Sequence, residues 1–123
     1  MQSYKDLEIY QLAHKLAVEI HTMTLELPKF EMYEEGSQIR RSAKSVPSNI
    51  VEGFSRKRYQ QEYVRFLVFA HSSCNETIGH LEILFETKSL VSKERFDYFM
   101  EEYDKIGRKL NKFIQAVNGE IYD

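Results

Sequence analysis

The chain has one cysteine, Cys74, two prolines, five glycines and no tryptophan. A lone cysteine closes no internal disulfide and builds no structural zinc site, so the fold must rest on its hydrophobic core. A reducing compartment is the simplest setting. Long apolar runs are also missing. The longest uncharged stretch, Phe66 to Asn75, is about half of what a membrane-spanning helix needs. The opening MQSYKDLEIY lacks the basic start and apolar run of a signal peptide. These absences predict a soluble, cytoplasmic protein with no membrane partner. There is no excess of positive charge. The net charge is −2 over 123 residues, so any role on nucleic acid must rest on a local patch.

Reactive motifs are absent too. There is no Gly-x-Ser-x-Gly elbow, no phosphate loop and no dinucleotide fingerprint. The histidines, His14, His21, His71 and His80, include none of the Glu-x-x-His pairs that di-metal bundles use. Glu76 and His80 stand four apart and either share a metal or form a surface pair. Cys74 falls on a core stripe, where a thiol is a small inert hydrophobe. Glu34-Glu35 and Glu101-Glu102 read as solvated. The expectation is a protein with no catalytic residue, no metal and no cofactor, and so not an enzyme.

What the chain does have is periodicity. Leu7, Tyr10, Ala13, Ala17, Ile20 and Met23 step by three and four, predicting a helix over about Asp6 to Leu27, closed by Pro28. Ile39, Ala43, Val46, Ile50 and Phe54 predict a second, from Tyr33 to Ser55. Pro47 sits inside it, and either a kink or a break into two helices follows. The stripe keeps its phase across Pro47, which favours the kink. Tyr63, Phe66, Ala70, Cys74, Thr77, Leu81 and Leu84 predict a third helix from Tyr59 to Thr87. Phe96, Phe99, Tyr103, Ile106, Leu110, Phe113 and Val117 give the fourth, a seam of coiled-coil type. Ser92 is its expected N-cap, Val91 its staple against Phe96, and Asn118-Gly119 its stop. No strand pattern competes. The expected architecture is all-α: one domain over residues 1–123, an antiparallel up-and-down four-helix bundle whose second helix is kinked at Pro47.

One segment is too apolar for a single buried face. From Tyr63 to Ala70 only Arg65 is polar. Either the third helix is unusually central or it meets another subunit, and a homo-oligomer is the expectation.

Charge is segregated. Between Gly36 and Arg65 lie seven cations, Arg40, Arg41, Lys44, Arg56, Lys57, Arg58 and Arg65, opposed only by Glu52 and Glu62. Arg40 and Lys44 share a helix face, and Arg56 to Arg58 lie at the turn. Two readings stand: a phosphate-binding surface made of Arg40, Lys44, Arg56, Lys57 and Arg58, or a solvated face with internal ion pairs. If the second and third helices form a hairpin turning near Lys57 to Tyr59, Arg41 falls opposite Glu76, Ser45 near Ser73 and Glu52 near Arg65. A polar seam is expected there, fixing register more than adding stability.

Residues 38–56 read QIRRSAKSVPSNIVEGFSR. This resembles the signature of four-helix bundle proteins named for reading frames within intervening sequences of bacterial 23S ribosomal RNA genes, also given a ribosomal-protein-like label. The matching positions are Gln38, Ile39, Arg40, Arg41, Ser45, Pro47, Ser48, Asn49, Ile50, Glu52 and Gly53. A third-helix pattern follows as Ala70, Ser73 and Glu76. Tyr4 to Leu7 and Leu27-Pro28 match in kind. The likeness spans about residues 4 to 90. Ser42 and Val51 stand where the family often has Ala, and Ser72 replaces a glycine. The resemblance implies an up-and-down four-helix bundle assembling as a homopentamer. It makes Arg41, Ser45, Asn49, Glu52, Ser73 and Glu76 residues of the family's motif. A sister branch, the accessory proteins of diversity-generating retroelements, binds a reverse transcriptase and nucleic acid. The functional expectation is therefore a non-enzymatic interaction module whose partners are its own copies and RNA or DNA. The alternative is a protein-docking ring with no nucleic-acid role and an unidentified protein partner.

Overall fold

The computed structural model describes residues 3–119. After a single 3-10 turn at Tyr4–Asp6 come five helices: α1 Glu8–Thr24, α2 Lys29–Tyr33, α3 Glu35–Ser55, α4 Gln60–Glu86 and α5 Lys93–Val117. Four are long and form the expected bundle, and no strand occurs among the described residues. The short α2 was not expected. Pro28 opens it as well as ending the α1 region: with φ −50° it sits at the N-cap, where the missing N–H has no cost. The region read as one helix from Tyr33 begins as α3 at Glu35, after a break at Glu34 (φ −99°, ψ −99°). Through Pro47 the helix is continuous, so the alternative of two separate helices does not hold.

Helix α1 packs on α3, α3 on α4, α4 on α5, and α5 returns to α1. The links between them set the directions. Arg95, at the start of α5, pairs with Glu26 just past the end of α1 at 2.8 Å, and Lys109 pairs with Glu8 at 3.3 Å. The two helices are therefore antiparallel. Between α3 and α4, Ser42 and Thr77 hydroxyls meet at 2.8 Å, and Ser45 donates to Ser73 at 2.6 Å. A short polar strip thus crosses an otherwise apolar contact. Its hydroxyls also bond helix carbonyls, as Ser42 does to Ile39 and Thr77 to Ser73. No polar group of the strip goes unpaired, which is what makes burying it tolerable.

The stripes read from spacing form one contiguous core. Ala13, Leu16 and Ile20 of α1, Ile39, Val46 and Ile50 of α3, Leu67, Leu81 and Leu84 of α4, and Tyr103, Ile106 and Leu110 of α5 are all at most 1% exposed. Ser92 caps α5 by accepting from the Arg95 N–H at 3.2 Å. Val91 does not staple: it stands 80% exposed, and Phe96 instead stacks on Phe85 with centroids 4.2 Å apart. The reason is the path of the loop. Lys88 takes a left-handed φ of 67°, and the Leu90 N–H closes on the Leu84 carbonyl. That buries Leu90 and leaves Val91 outside.

Helix α4 is not unusually central. Tyr63, Leu67, Ala70 and Cys74 face the core, while Val68, Phe69 and Ile83 on the other side are 44%, 41% and 49% exposed.

Candidate nucleic-acid interface

The α3–α4 turn makes one end of the bundle, and Gly53 lets the helices close there. A Cβ at this position would lie 3.2 Å from Phe66 Cβ and from Tyr63 Cδ1 and its carbonyl oxygen. With the helices that close, the turn from Arg56 to Tyr59 is tight, and its cations are forced outward onto aromatic rings. The Arg56 guanidinium lies 4.6 Å from the Phe66 centroid, Lys57 Nζ 4.1 Å from that of Phe54, and Arg58 5.5 Å from that of Tyr59. Arg65, one turn into α4, sits over Phe66 at 5.4 Å and Phe69 at 5.2 Å. Each ring presents its negative face to a cation and holds the side chain flat against the surface.

The cations are not equally available. Arg56 is bonded to Glu52 at 2.5 Å and to the Glu52 carbonyl at 3.0 Å, with Glu62 at 4.0 Å. Arg65 pairs with Glu62 at 3.4 Å. Lys57 and Arg58 are exposed and have no carboxylate partner among the described residues. Two free cations and two half-neutralised ones make a modest positive surface. Beside them Tyr59 is 59% and Phe69 41% exposed, so flat apolar faces lie next to exposed cations. That combination suits single-stranded nucleic acid, whose bases stack on aromatic planes while cations track the backbone.

The other two residues expected in this surface lie elsewhere. Arg40 is a strut: Nη1 donates to Thr24 Oγ1 at 2.8 Å and Nη2 to the Met32 carbonyl at 3.1 Å, tying α1, α2 and α3 together. Lys44 is exposed on the outer face of α3, twelve residues before Arg56 and so about 18 Å along the helix. It borders a groove of about 540 Å³ between α1 and α3.

The motif residues divide likewise. Ser45 and Ser73 meet directly, and the Asn49 amide donates back to the Ser45 carbonyl at 2.9 Å. The expected Arg41–Glu76 pair does not form. Ser42 opposite Thr77 and Ser45 opposite Ser73 set a register that differs by one to two residues from the expected one, and Arg41 projects from the solvent side of α3. Glu76 lies 3.5 Å from His80 Nε2 instead, while His80 Nδ1 meets Glu35 across the helices. Glu52 and Arg65 do not pair either, each preferring a partner one turn away on its own helix.

Aromatic platforms at the tip were missed in the sequence, although a signal was there. Arg65 and Phe69 are four apart, and Arg58 adjoins Tyr59. Elsewhere, two ionisable groups are closed off by burial. Burial pushes the Cys74 thiol up to about 12, and the Tyr103 hydroxyl is driven well above its ordinary range by burial, then by its nearness to Cys74 and Glu19. Among the described residues no three His, Cys, Asp or Glu side chains gather as a metal site would need, and no helix is long and apolar enough to cross a membrane.

The fold and its tip define a small helical bundle with cations laid on aromatic faces at one end. The model of the 23S rRNA-intervening sequence protein family matches residues 5–112, and the chain belongs to that family. Among solved structures it is similar to a protein of unknown function from the S23 ribosomal protein family of Bacteroides thetaiotaomicron. The TM-score is 0.75 at 24% identity, over 87% of this chain and 98% of that one, a likeness of fold. No curated protein matches the chain.

Proposed function

We propose that this protein is a non-enzymatic, self-associating helical module that holds single-stranded or looped nucleic acid at the α3–α4 tip. The observation that carries this reading is the cluster of Arg56, Lys57, Arg58 and Arg65 on the rings of Phe54, Tyr59, Phe66 and Phe69. Phosphate is drawn to the cations, and bases find exposed aromatic faces beside them. A non-catalytic role is supported by Cys74, the one strong nucleophile, lying buried and protonated.

The free charges set the scale. Lys57 and Arg58 give a slope of log affinity against log salt of about −2, since each neutralised phosphate contributes about −0.7 on a single strand and the half-paired arginines contribute in part. All seven cations of the segment would give about −5. Fluorescence anisotropy with a labelled single strand, a hairpin and a duplex, at low and near-physiological salt, tests this. Single strand and loop bind in preference to duplex, and a Lys57→Glu, Arg58→Glu variant loses binding. Equal affinity for the duplex, or binding that survives the double variant, refutes the tip as the site.

A second reading has its own observation. Val68, Phe69 and Ile83 are exposed apolar side chains on the outer face of α4, and such groups suit a protein contact. A docking scaffold with no nucleic-acid role leaves the tip as solvated charge and shows no binding even at low salt.

A further inference from the structure

Helices α1 and α3 pack on each other and leave a groove of about 540 Å³ along their contact. Small side chains keep it open. Ala17 of α1 and Pro47 of α3 are buried at its floor and are too short to fill the space between the helices. Val18, 54% exposed, and Val51 stand beside them. Small-molecule sites are concave and mostly apolar, with volumes of about 300–1,000 Å³, and this groove has that form.

Its polar groups are spread unevenly. Arg40, near the start of α3, bonds Thr24 at the end of α1 at 2.8 Å, which fixes the antiparallel register. Stepping along both helices from that bond brings Lys44 level with His21 and Val51 level with His14. Lys44 and Ser48 are exposed, four apart on one helix face, and have no partner among the described residues. The other end carries the rings of Tyr10 and His14, with centroids 5.6 Å apart. Among the described residues no carboxylate lines this groove. The acids closest in sequence are turned elsewhere: Glu19 accepts from the Tyr98 hydroxyl at 2.7 Å, and Glu52 is bonded to Arg56 at 2.5 Å. The grooves between α1 and α5 differ. One has Glu19 and Glu94 on its walls, and the other is walled by charged and amide side chains with Leu12 its one apolar residue. Of these three, the α1–α3 groove alone joins an apolar floor to an unpaired cation with no acid beside it.

We infer that the α1–α3 groove binds a small amphipathic anion, a medium-chain aliphatic carboxylate. Its head accepts from the Lys44 ammonium and the Ser48 hydroxyl, and its chain lies over Ala17, Pro47 and Val51 toward Tyr10. From Lys44 to Val51 the helix rises about 10 Å, which sets the length of chain the groove covers. A longer chain would run out into water. A neutral chain would leave the Lys44 charge unused, and a cationic head would meet it with the same sign. The site is separate from the nucleic-acid surface proposed at the tip, which shares none of its residues, so either reading stands or falls without the other.

The test titrates the full chain with hexanoate, octanoate and octanol. Calorimetry gives the affinities, and methyl NMR of the valines gives the location. Octanoate shifts the Val18 and Val51 methyls and leaves Val68, on α4, where it was. Each added methylene from hexanoate to octanoate tightens binding about two- to fourfold. Octanol binds about fivefold more weakly than octanoate, the worth of an exposed ion pair. Lys44→Glu, a change at an exposed position that leaves the apolar floor in place, weakens octanoate about tenfold and leaves octanol unchanged, while Lys44→Arg keeps octanoate binding. Octanol binding as tightly as octanoate, or octanoate binding undisturbed in Lys44→Glu, overturns the anion site. Shifts at Val68 in place of Val18 and Val51 overturn the location. No binding at millimolar octanoate overturns the inference outright.

Discussion

The α3–α4 pair ends differently at its two extremities. At the turn, Arg56, Lys57, Arg58 and Arg65 lie on aromatic rings at the surface, and their carboxylate partners are exposed as well. At the open end, ionisable groups are drawn inside. Glu31 is 8% exposed; its carboxylate accepts from Ser89 at 2.7 Å and from the Glu35 N–H at 3.3 Å. His80 joins Glu35 across the two helices. Charge at the turn keeps its water and adds little to stability, because exposed pairs are screened. Charge at the open end has lost water and is held by hydrogen bonds that fix α2 and the α4–α5 loop. The same residue types stay at the surface at one end and serve architecture at the other, and solvent access makes the difference.

This contrast can be broken at four points. The largest effect is expected at Gly53. Gly53→Val forces a branched side chain against Tyr63 and Phe66 and lowers the unfolding free energy by about 3 kcal/mol, read by urea denaturation. Next is Glu31→Ala, which leaves the Ser89 hydroxyl and the Glu35 N–H without their acceptor. A loss of about 2 kcal/mol is expected, with Glu31→Gln losing less. A third change should stabilise. Lys88 holds a left-handed φ of 67°, and Lys88→Gly relieves it, raising stability by about 1 kcal/mol and the thermal midpoint by a few degrees. The smallest stability effect belongs to the tip. Lys57→Glu and Arg58→Glu together shift stability by less than about 0.5 kcal/mol while abolishing nucleic-acid binding. A large loss of stability from that pair would mean the tip is architectural like the open end.

The thiol offers a separate check of how closed the core is. Burial pushes the folded Cys74 thiol up from its ordinary 9.0 to about 12. Between those values the unfolded chain releases a proton that the folded chain keeps, so stability falls as pH rises through that window. Alkylation of Cys74 at mildly alkaline pH should therefore follow global unfolding.

The four long helices were legible because each stripe repeats through many turns, and burial of Ile39, Leu67, Tyr103 and Leu110 is what such spacing requires. Much of the polar strip was legible too: a hairpin turning near Lys57 brings Ser45 to Ser73 within a residue of the true register. The Arg41–Glu76 pair fails on that one residue, because a step along a helix turns a side chain by about 100° and carries Arg41 to the solvent side. Helix α2 escaped because five residues carry too little periodicity to be seen.

By itself, then, the sequence determined the helical class, the core stripes and the segregation of positive charge around the second and third helices. Those properties depend on neighbours three and four residues apart. Only the tertiary structure decided which charges are free. Arg40 is consumed by Thr24 and the Met32 carbonyl, sixteen and eight residues away, and Arg56 by Glu52, whereas Lys57 and Arg58 are left to solvent. It also decided that the excess apolar surface of α4 faces outward, because α3 and α5 together cover only one side of that helix. A side chain's availability depends on what the fold places beside it, and that information is not local in the chain.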